Sequence, residues 1–365
     1  MARLVPFTAL LASTAALRVC VVSKIIVDSV AGGPPRLGGG GVQAAVGVQL
    51  GARGRGLCRL TAPVGMDFDS SLLIELSRRG VDSSAVSPLP EVKRTPGEVI
   101  RYEGEKMRWE SVGWESWDTL CAWVPPLDAA DVDAFHVIVE GGGDGEVRAV
   151  LDAVARQPPE AVAPFISVEP VMHEVSAASI GGLARLTAIA DVVSPDFLTA
   201  ARIAASAADA ATDEEGGLAE QPLAVDDSVN DSVRSVDGMP RATEALLAIA
   251  RGCARALALR PSAWLAIRDG ADGSYLYRHA VSSADAAWIR VPAVPVEVSD
   301  PTGAGNGYAG ALCAQLASGA PPAAAAAVAS AVGSAFCRTA EWAPLLDDAE
   351  WCFRAATAAN AIEKQ

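Results

Sequence analysis

The stretch Asp300-Pro301-Thr302-Gly303-Ala304-Gly305-Asn306-Gly307 decides the reading of this chain. It follows a Val-rich run, Val291–Val298, that reads as a strand, and it leads into an Ala/Leu helix running to about Ala317. Pro301 sets a turn, and Gly303 and Gly305 let the backbone approach a ligand where a Cβ would block it. A helix that begins here aims unpaired N–H groups and the positive end of its dipole at one spot, which suits an anion. A phosphoryl group in transfer needs such support, because its chemistry is largely positioning and charge stabilisation. An ordinary Gly-rich helix start is the competing reading of these residues taken alone.

Outward from this point, strand-like and Ala-rich helical runs alternate. Val19–Val27 reads as a first strand, and Gly38-Gly39-Gly40-Gly41 precedes a helix-like run from Val42 to Leu50. Ala134–Glu140 is a strand followed by a helix near Glu146–Gln157; Ala163–Val168 is a strand, Ala177–Ala188 a helix and Asp191–Ser194 a short strand. Trp264–Ile267 and Ser274–Tyr277 flank a Gly turn. This order predicts an α/β protein, a mostly parallel sheet covered by helices on both faces. Residues 92–125 differ, being polar, aromatic and β-prone, with Trp109, Trp114, Trp117 and Trp123 close together. They predict a small sheet over a cleft, or a peripheral hairpin.

With these elements in place, the 300–307 stretch resembles the C-terminal signature of the ribokinase/PfkB carbohydrate kinases, Asp-Thr/Pro-Thr-Gly-Ala-Gly-Asp. Three further places are similar to that family in the expected order. Ile25-Ile26-Val27-Asp28 resembles the end of its first strand, where the Asp holds a sugar hydroxyl. Gly38-Gly39-Gly40-Gly41-Val42-Gln43 resembles its Gly-Gly-x-x-x-Asn substrate motif, with Gln43 for Asn. Arg268-Asp269-Gly270-Ala271-Asp272-Gly273 resembles its Gly-x-x-Gly loop beside the nucleotide. Taken singly, Asp28 also reads as a turn residue, Gln43 as a helix-surface residue and Gly270/Gly273 as a plain hairpin.

The resemblance implies a ribokinase-like three-layer sandwich over 18–357, with β-lid elements near 28–37 and 92–125. It implies ATP and Mg²⁺ as cofactors, and a sugar or nucleoside-like alcohol as partner substrate. It places Gly303, Ala304, Gly305 and Asn306 at the transferring phosphoryl and Asp28, Gly39, Gly40 and Gln43 at the acceptor. Asp300, Thr302, Arg268, Gly270 and Gly273 fall near the nucleotide. A homodimer through the lid is the further expectation it brings.

Two departures bear on activity. Asn306 stands where the family has its catalytic Asp; an amide hydrogen-bonds a hydroxyl but does not take its proton, and general-base catalysis contributes about 10²- to 10⁴-fold. Ser194-Pro195-Asp196-Phe197-Leu198-Thr199 stands where the family has Asn-x-x-Glu near Mg²⁺, so Asp196 is the one metal candidate and Thr199 replaces a carboxylate. Asp300 and Glu169 are the carboxylates available to compensate, Glu169 also reading as a surface turn residue. A eukaryotic branch named for killer-virus maintenance also reads Asp-Pro-Thr-Gly-Ala-Gly-Asn, and the chain is most similar to that branch. The expected function is therefore a PfkB-type carbohydrate kinase slowed by Asn306, the alternative a nucleotide- or sugar-binding pseudokinase.

Composition narrows the field. A formal net charge of −15 argues against a nucleic-acid binder. Seven scattered cysteines without C-x-x-C fit reduced thiols and a cytoplasmic setting, and three separated histidines give little to a metal site. No apolar run has the length of a membrane span. Leu4–Leu17, within a leading 1–17 segment, reads as a ragged terminus or a short organelle-targeting segment. Nine acids and one Arg between Asp209 and Asp237 predict a disordered acidic insertion over about 207–238. Gly39-x-Gly41-x-x-Ala44 fails as a dinucleotide fingerprint, because Pro34-Pro35-Arg36-Leu37 is no strand and no acidic residue ends a second strand about 20 residues on.

Overall fold

The computed structural model describes residues 16–30, 33–103, 106–140, 144–171, 177–215, 243–278, 287–339 and 341–362. Among these, one nine-stranded sheet has the order β13-β12-β11-β10-β9-β8-β1-β4-β5. The central strands are β1 (Arg18–Val22), β8 (Ala134–Glu140), β9 (Phe165–Val171), β10 (Val192–Val193) and β11 (Trp264–Arg268). With β4 (Leu57–Val64) and β5 (Val81–Pro88) they run parallel; β12 (Ser274–Arg278) and β13 (Ala287–Val291) close one side antiparallel.

Strand alternation divides the core in two. Val19, Val21, Ala134, Ile138 and Ala266 face α1 (Gly40–Gly51), α8 (Ala304–Ala317), α9 (Pro322–Arg338) and α10 (Asp348–Ile362). Cys20, Val22, Phe135, Val137, Val168 and Ile267 face α4 (Asp144–Ala155), α5 (Ala177–Thr187), α6 (Phe197–Glu215) and α7 (Thr243–Ala256). This is the expected sandwich. The second sheet, of order β3-β2-β6-β7, joins β2 (Ile26–Val30) and β3 (Arg36–Gly38) to β6 (Gly97–Glu103) and β7 (Lys106–Val112).

Four expectations are corrected. Val19–Val27 is not one strand: the chain leaves the large sheet at Ser23-Lys24-Ile25 and enters the small one at Ile26, which an unbroken apolar run does not reveal. Val291–Val298 is strand only at its first residue, because Pro292 and Pro295 lack ladder donors. That segment is held instead by Ser330 and Ser334, whose hydroxyls donate to the carbonyls of Pro292 (2.8 Å) and Val294 (2.7 Å). Within 92–125, Trp114–Ser116 and α3 (Trp117–Ala122) are helical, packing Leu120 on Leu89 and Val92. Residues 207–215 continue α6 as helix; the rest of the acidic segment, 216–238, and the leading 1–15 lie outside the described residues.

Candidate active site

The glycines of α1 and α8 set the site. The two helices cross so closely that a Cβ on Gly47 would lie 2.2 Å from Gly307 O, and one on Gly310 2.0 Å from Ala44 O. This contact brings the Gly38–Gly41 run against the 300–307 stretch, far apart in sequence. A Cβ on Gly40 would sit 2.7 Å from Asn306 Nδ2, and one on Gly303 2.3 Å from Gln43 Cγ. Gly303 has φ +80°, where an L side chain is strained, and it caps α8. Ala304 N–H turns back to Pro301 O at 3.2 Å, and the α-helical ladder begins with Gly307 N–H to Gly303 O at 2.8 Å. Gly305 and Asn306 N–H precede the ladder, and Gly303–Asn306 are half-buried, within reach of a ligand.

Asn306 is held from behind. Its Nδ2 donates to Glu169 Oε1 at 2.9 Å, and Arg268 Nη1 reaches the same oxygen at 2.6 Å. Glu169 Oε2 lies 3.3 Å from His136 Nε2, and His136 Nδ1 lies 2.9 Å from Ser167 Oγ. His136, Ser167 and Glu169 are buried on one face of β8 and β9, with His136 opposite Ser167 in the register. Glu169 is thus no surface turn residue: it is fully buried beneath α8. The sequence signal was faint, polar residues at alternate, core-facing positions of strands.

Charged side chains gather at the C-terminal ends of the parallel strands, the customary ligand edge of such sheets. Lys24, buried just past β1, forms an ion pair with buried Glu146 and lies 5.5 Å from the Trp117 ring. Glu140, ending β8, is pushed up to about 7 by burial, which the Lys24 charge opposes and Glu146 and Glu169 reinforce. Lys24, Glu140 and Glu146 went unrecognised in sequence, where a Lys inside an apolar run was the only sign.

The remaining expected residues divide. Asp28 lies on β2 of the small sheet; its Oδ1 accepts Glu98 N–H at 3.1 Å, and burial raises its carboxyl against that bond and the Arg36 charge. Gly39, at φ +92°, turns the chain where a Cβ would meet Lys24 O at 2.9 Å. Gln43 is buried against Gly303 instead of lying on a helix surface. Asp300 Oδ1 accepts Thr302 N–H at 2.9 Å; burial opposes, but the Thr302 hydrogen bonds and the Arg36 charge hold its carboxyl below the ordinary range. Arg268 reaches the site, a Cβ on Gly305 meeting its Nη1 at 2.7 Å. Gly270 and Gly273 form the tight β11–β12 connection, Gly270 with open space around it.

Asp196 is bridged through its backbone to Arg268, but its side chain caps α6, accepting Thr199 N–H at 2.8 Å and Thr199 O–H at 2.9 Å. Among the described residues no group of three His, Cys, Asp or Glu is gathered for a metal. A single carboxylate with lone pairs to spare still fits Mg²⁺, which keeps several waters and binds chiefly to substrate phosphates.

Residues 243–346 match the model of the pfkB family carbohydrate kinases. The fold is ribokinase-like. Ribokinase of Arabidopsis thaliana, complexed with ribose and ATP, is 15% identical with a TM-score of 0.63, over 93% of this chain and 99% of that one. Ribokinase of Cryptococcus neoformans var. grubii serotype A, in complex with ADP, is 16% identical with a TM-score of 0.63, over 92% and 99%. An uncharacterized sugar kinase of Pyrococcus horikoshii, in complex with ATP, is 15% identical with a TM-score of 0.57, over 93% and 99%. No curated protein matches the sequence. Among the described residues no helix is long and apolar enough to cross a membrane.

Proposed function

We propose that the chain is an ATP-dependent kinase that transfers the γ-phosphoryl group to a hydroxyl of a sugar or nucleoside-like alcohol. The observation that carries this is the start of α8: Gly303 in the left-handed region, then N–H groups ahead of the helical ladder, with Asn306 against Gly40. The family match over 243–346, which contains this turn, supports a carbohydrate kinase.

In this reading Gly303, Ala304 and Gly305 shape the cradle, and the Gly305 and Asn306 N–H groups face the γ-phosphoryl oxygens. Arg268, beside Gly305, adds positive charge. The acceptor hydroxyl sits beside the Asn306–Gly40 contact, on the Oδ1 side of the amide, with Gly39 and Asp28 on its far side, and Gln43 backs Gly303. Thr302, with its N–H on Asp300, fixes the turn at the nucleotide, and the Gly270–Gly273 connection lies beside it. Mg²⁺ would neutralise phosphate charge, with Asp196 the residue to hold it through water. The acceptor oxygen–phosphorus bond forms as the bond to the leaving ADP oxygen breaks, and ADP keeps that electron pair. Asn306 accepts the hydroxyl hydrogen bond without taking the proton, which passes to a phosphoryl oxygen and then to solvent. Without a base at this position, turnover is expected to be about 10²- to 10⁴-fold below that of a kinase with one.

A second reading, a nucleotide- or sugar-binding protein without turnover, is favoured by the Asn306 amide and by Thr199 being spent on the α6 cap. Calorimetry with ATP and Mg²⁺, then an ATP-consumption screen over sugars and nucleosides, separates them. Turnover that requires one added alcohol supports the kinase; ATP binding with no turnover across the screen supports the binding protein. Failure to bind nucleotide sinks the kinase and the nucleotide-binding protein, leaving sugar binding alone to be read by calorimetry.

A further inference from the structure

Glu169 receives hydrogen-bond donors from three elements: Asn306 from α8, Arg268 from β11 and His136 from β8. Arg268 is donor-only, and an ionised carboxylate is acceptor-only, so the arrangement suits a carboxylate anion. His136 then donates to it through Nε2, and its Nδ1 pairs with the Ser167 hydroxyl. It also follows that the Asn306 amide is not free to flip: Nδ2 is spent on Glu169, which leaves Oδ1 as its free acceptor. The site therefore does contain a carboxylate, placed on β9 behind the amide instead of on α8. Glu140 is a further acid within electrostatic range.

We infer that Glu169 is a positioning residue for the acceptor hydroxyl: it locks Asn306 with Oδ1 presented to the ligand, and it is the reason position 306 holds an amide. This rests on the kinase reading for its role in turnover, while the pairing itself stands apart from it. An aspartate at 306 would face Glu169 at hydrogen-bond distance. Two carboxylates so close do not both ionise without cost, so the pair would retain a proton that neither group keeps alone. Restoring the family's Asp by itself would then build a strained dyad, whereas moving the charge from β9 to α8 would keep one carboxylate beside one amide.

The test uses the full chain as wild type, N306D, E169Q and N306D/E169Q. Thermal unfolding between pH 5.5 and 8.5 needs no substrate. The introduced acid has a folded pKa above its unfolded one, so N306D is expected to lose stability relative to wild type as pH rises. N306D/E169Q is expected to run parallel to wild type. If N306D tracks wild type at every pH, or the double variant keeps the N306D slope, the pairing is wrong. In the ATP-consumption assay, E169Q is expected to lower kcat about 10- to 100-fold with KM for ATP unchanged, since a misplaced reacting group costs rate more than binding. N306D/E169Q is expected to regain or exceed wild-type kcat. An unchanged kcat in E169Q overturns the positioning role. Loss of nucleotide binding by wild type would instead remove the kinase reading, and the pH slopes would still judge the pairing.

Discussion

Gly310→Ala sets two effects of opposite sign against each other. In an unconstrained helix the change stabilises by about 1 kcal/mol, because alanine is the better helix former. Here the new Cβ would lie 2.0 Å from Ala44 O, with Ala44 C at 2.8 Å. Carbon–oxygen contacts settle near 3.3 Å, so α8 has to move off α1 by roughly 1 Å. Both colliding partners are backbone and cannot rotate away. Overpacking of this kind costs about 1–3 kcal/mol, occasionally more. A 2.0 Å approach to rigid backbone belongs at the upper end of that range, about 3 kcal/mol, so the clash wins for a net loss of about 2 kcal/mol. Gly181→Ala is the matched control: Gly181 lies inside α5, is exposed, and has nothing within 4 Å of a built Cβ, so it should stabilise by about 0.5–1 kcal/mol. Urea unfolding of both variants reads the difference directly. The same 1 Å shift separates Asn306 from Gly40, so Gly310→Ala should also weaken ATP binding in calorimetry, and Gly181→Ala should not. If both variants move in the same direction in urea, the close helix crossing does not hold the site.

Lys24→Met should cost about 3–5 kcal/mol in urea, because it strands buried Glu146, whose Oε2 already lacks a partner. Lys24→Met with Glu146→Leu should recover most of that loss; a double variant as unstable as the single would mean the pair is not the origin. Asp28→Asn should be more stable than wild type at pH 7. Burial lifts the folded Asp28 carboxyl above its unfolded value, so wild type loses stability as pH rises through the interval between the two and does not regain it above. The advantage of Asp28→Asn should shrink toward pH 4, and a gap that widens toward acid would contradict the burial of Asp28.

Much of the architecture was legible because period and punctuation agreed. Ala134–Glu140 is rich in β-branched and aromatic residues, with His136 and Glu140 its two polar members, and it is a strand over that same span. The glycine-led starts at 40 and 304 are both helix N-termini, because a residue without Cβ is what each turn requires. What could not be read was the destination of a segment. Val19–Val22 and Ile26–Val30 are both Val-rich strands, yet one pairs with β4 and β8 and the other with β3 and β6. Buried Ser23 and Lys24 lie at the break between the two, and polar residues in an apolar run carry no address. The Trp-rich stretch misled for a related reason: Trp114 and Trp117 meet in a helical turn, rings tilted by 43° with centroids 4.5 Å apart, although their residue type favours strands.

The site was legible where its chemistry is local and opaque where it depends on register. Gly303 to Asn306 are neighbours in sequence, so their joint meaning could be read from one turn. Glu169 and Asn306 lie 137 residues apart and meet only because Glu169 pairs with Ile138 across β8, and because Gly40 leaves room for the amide. Asn306 read alone is a missing base. Read with Glu169 and Arg268, it completes a unit whose buried acid and base offset one another. The first turn of α8 then adds no net negative charge where a polyphosphate must approach. An aspartate at 306 would gain a proton acceptor and lose that neutrality, and the burial of Glu169 decides that both cannot be had at once.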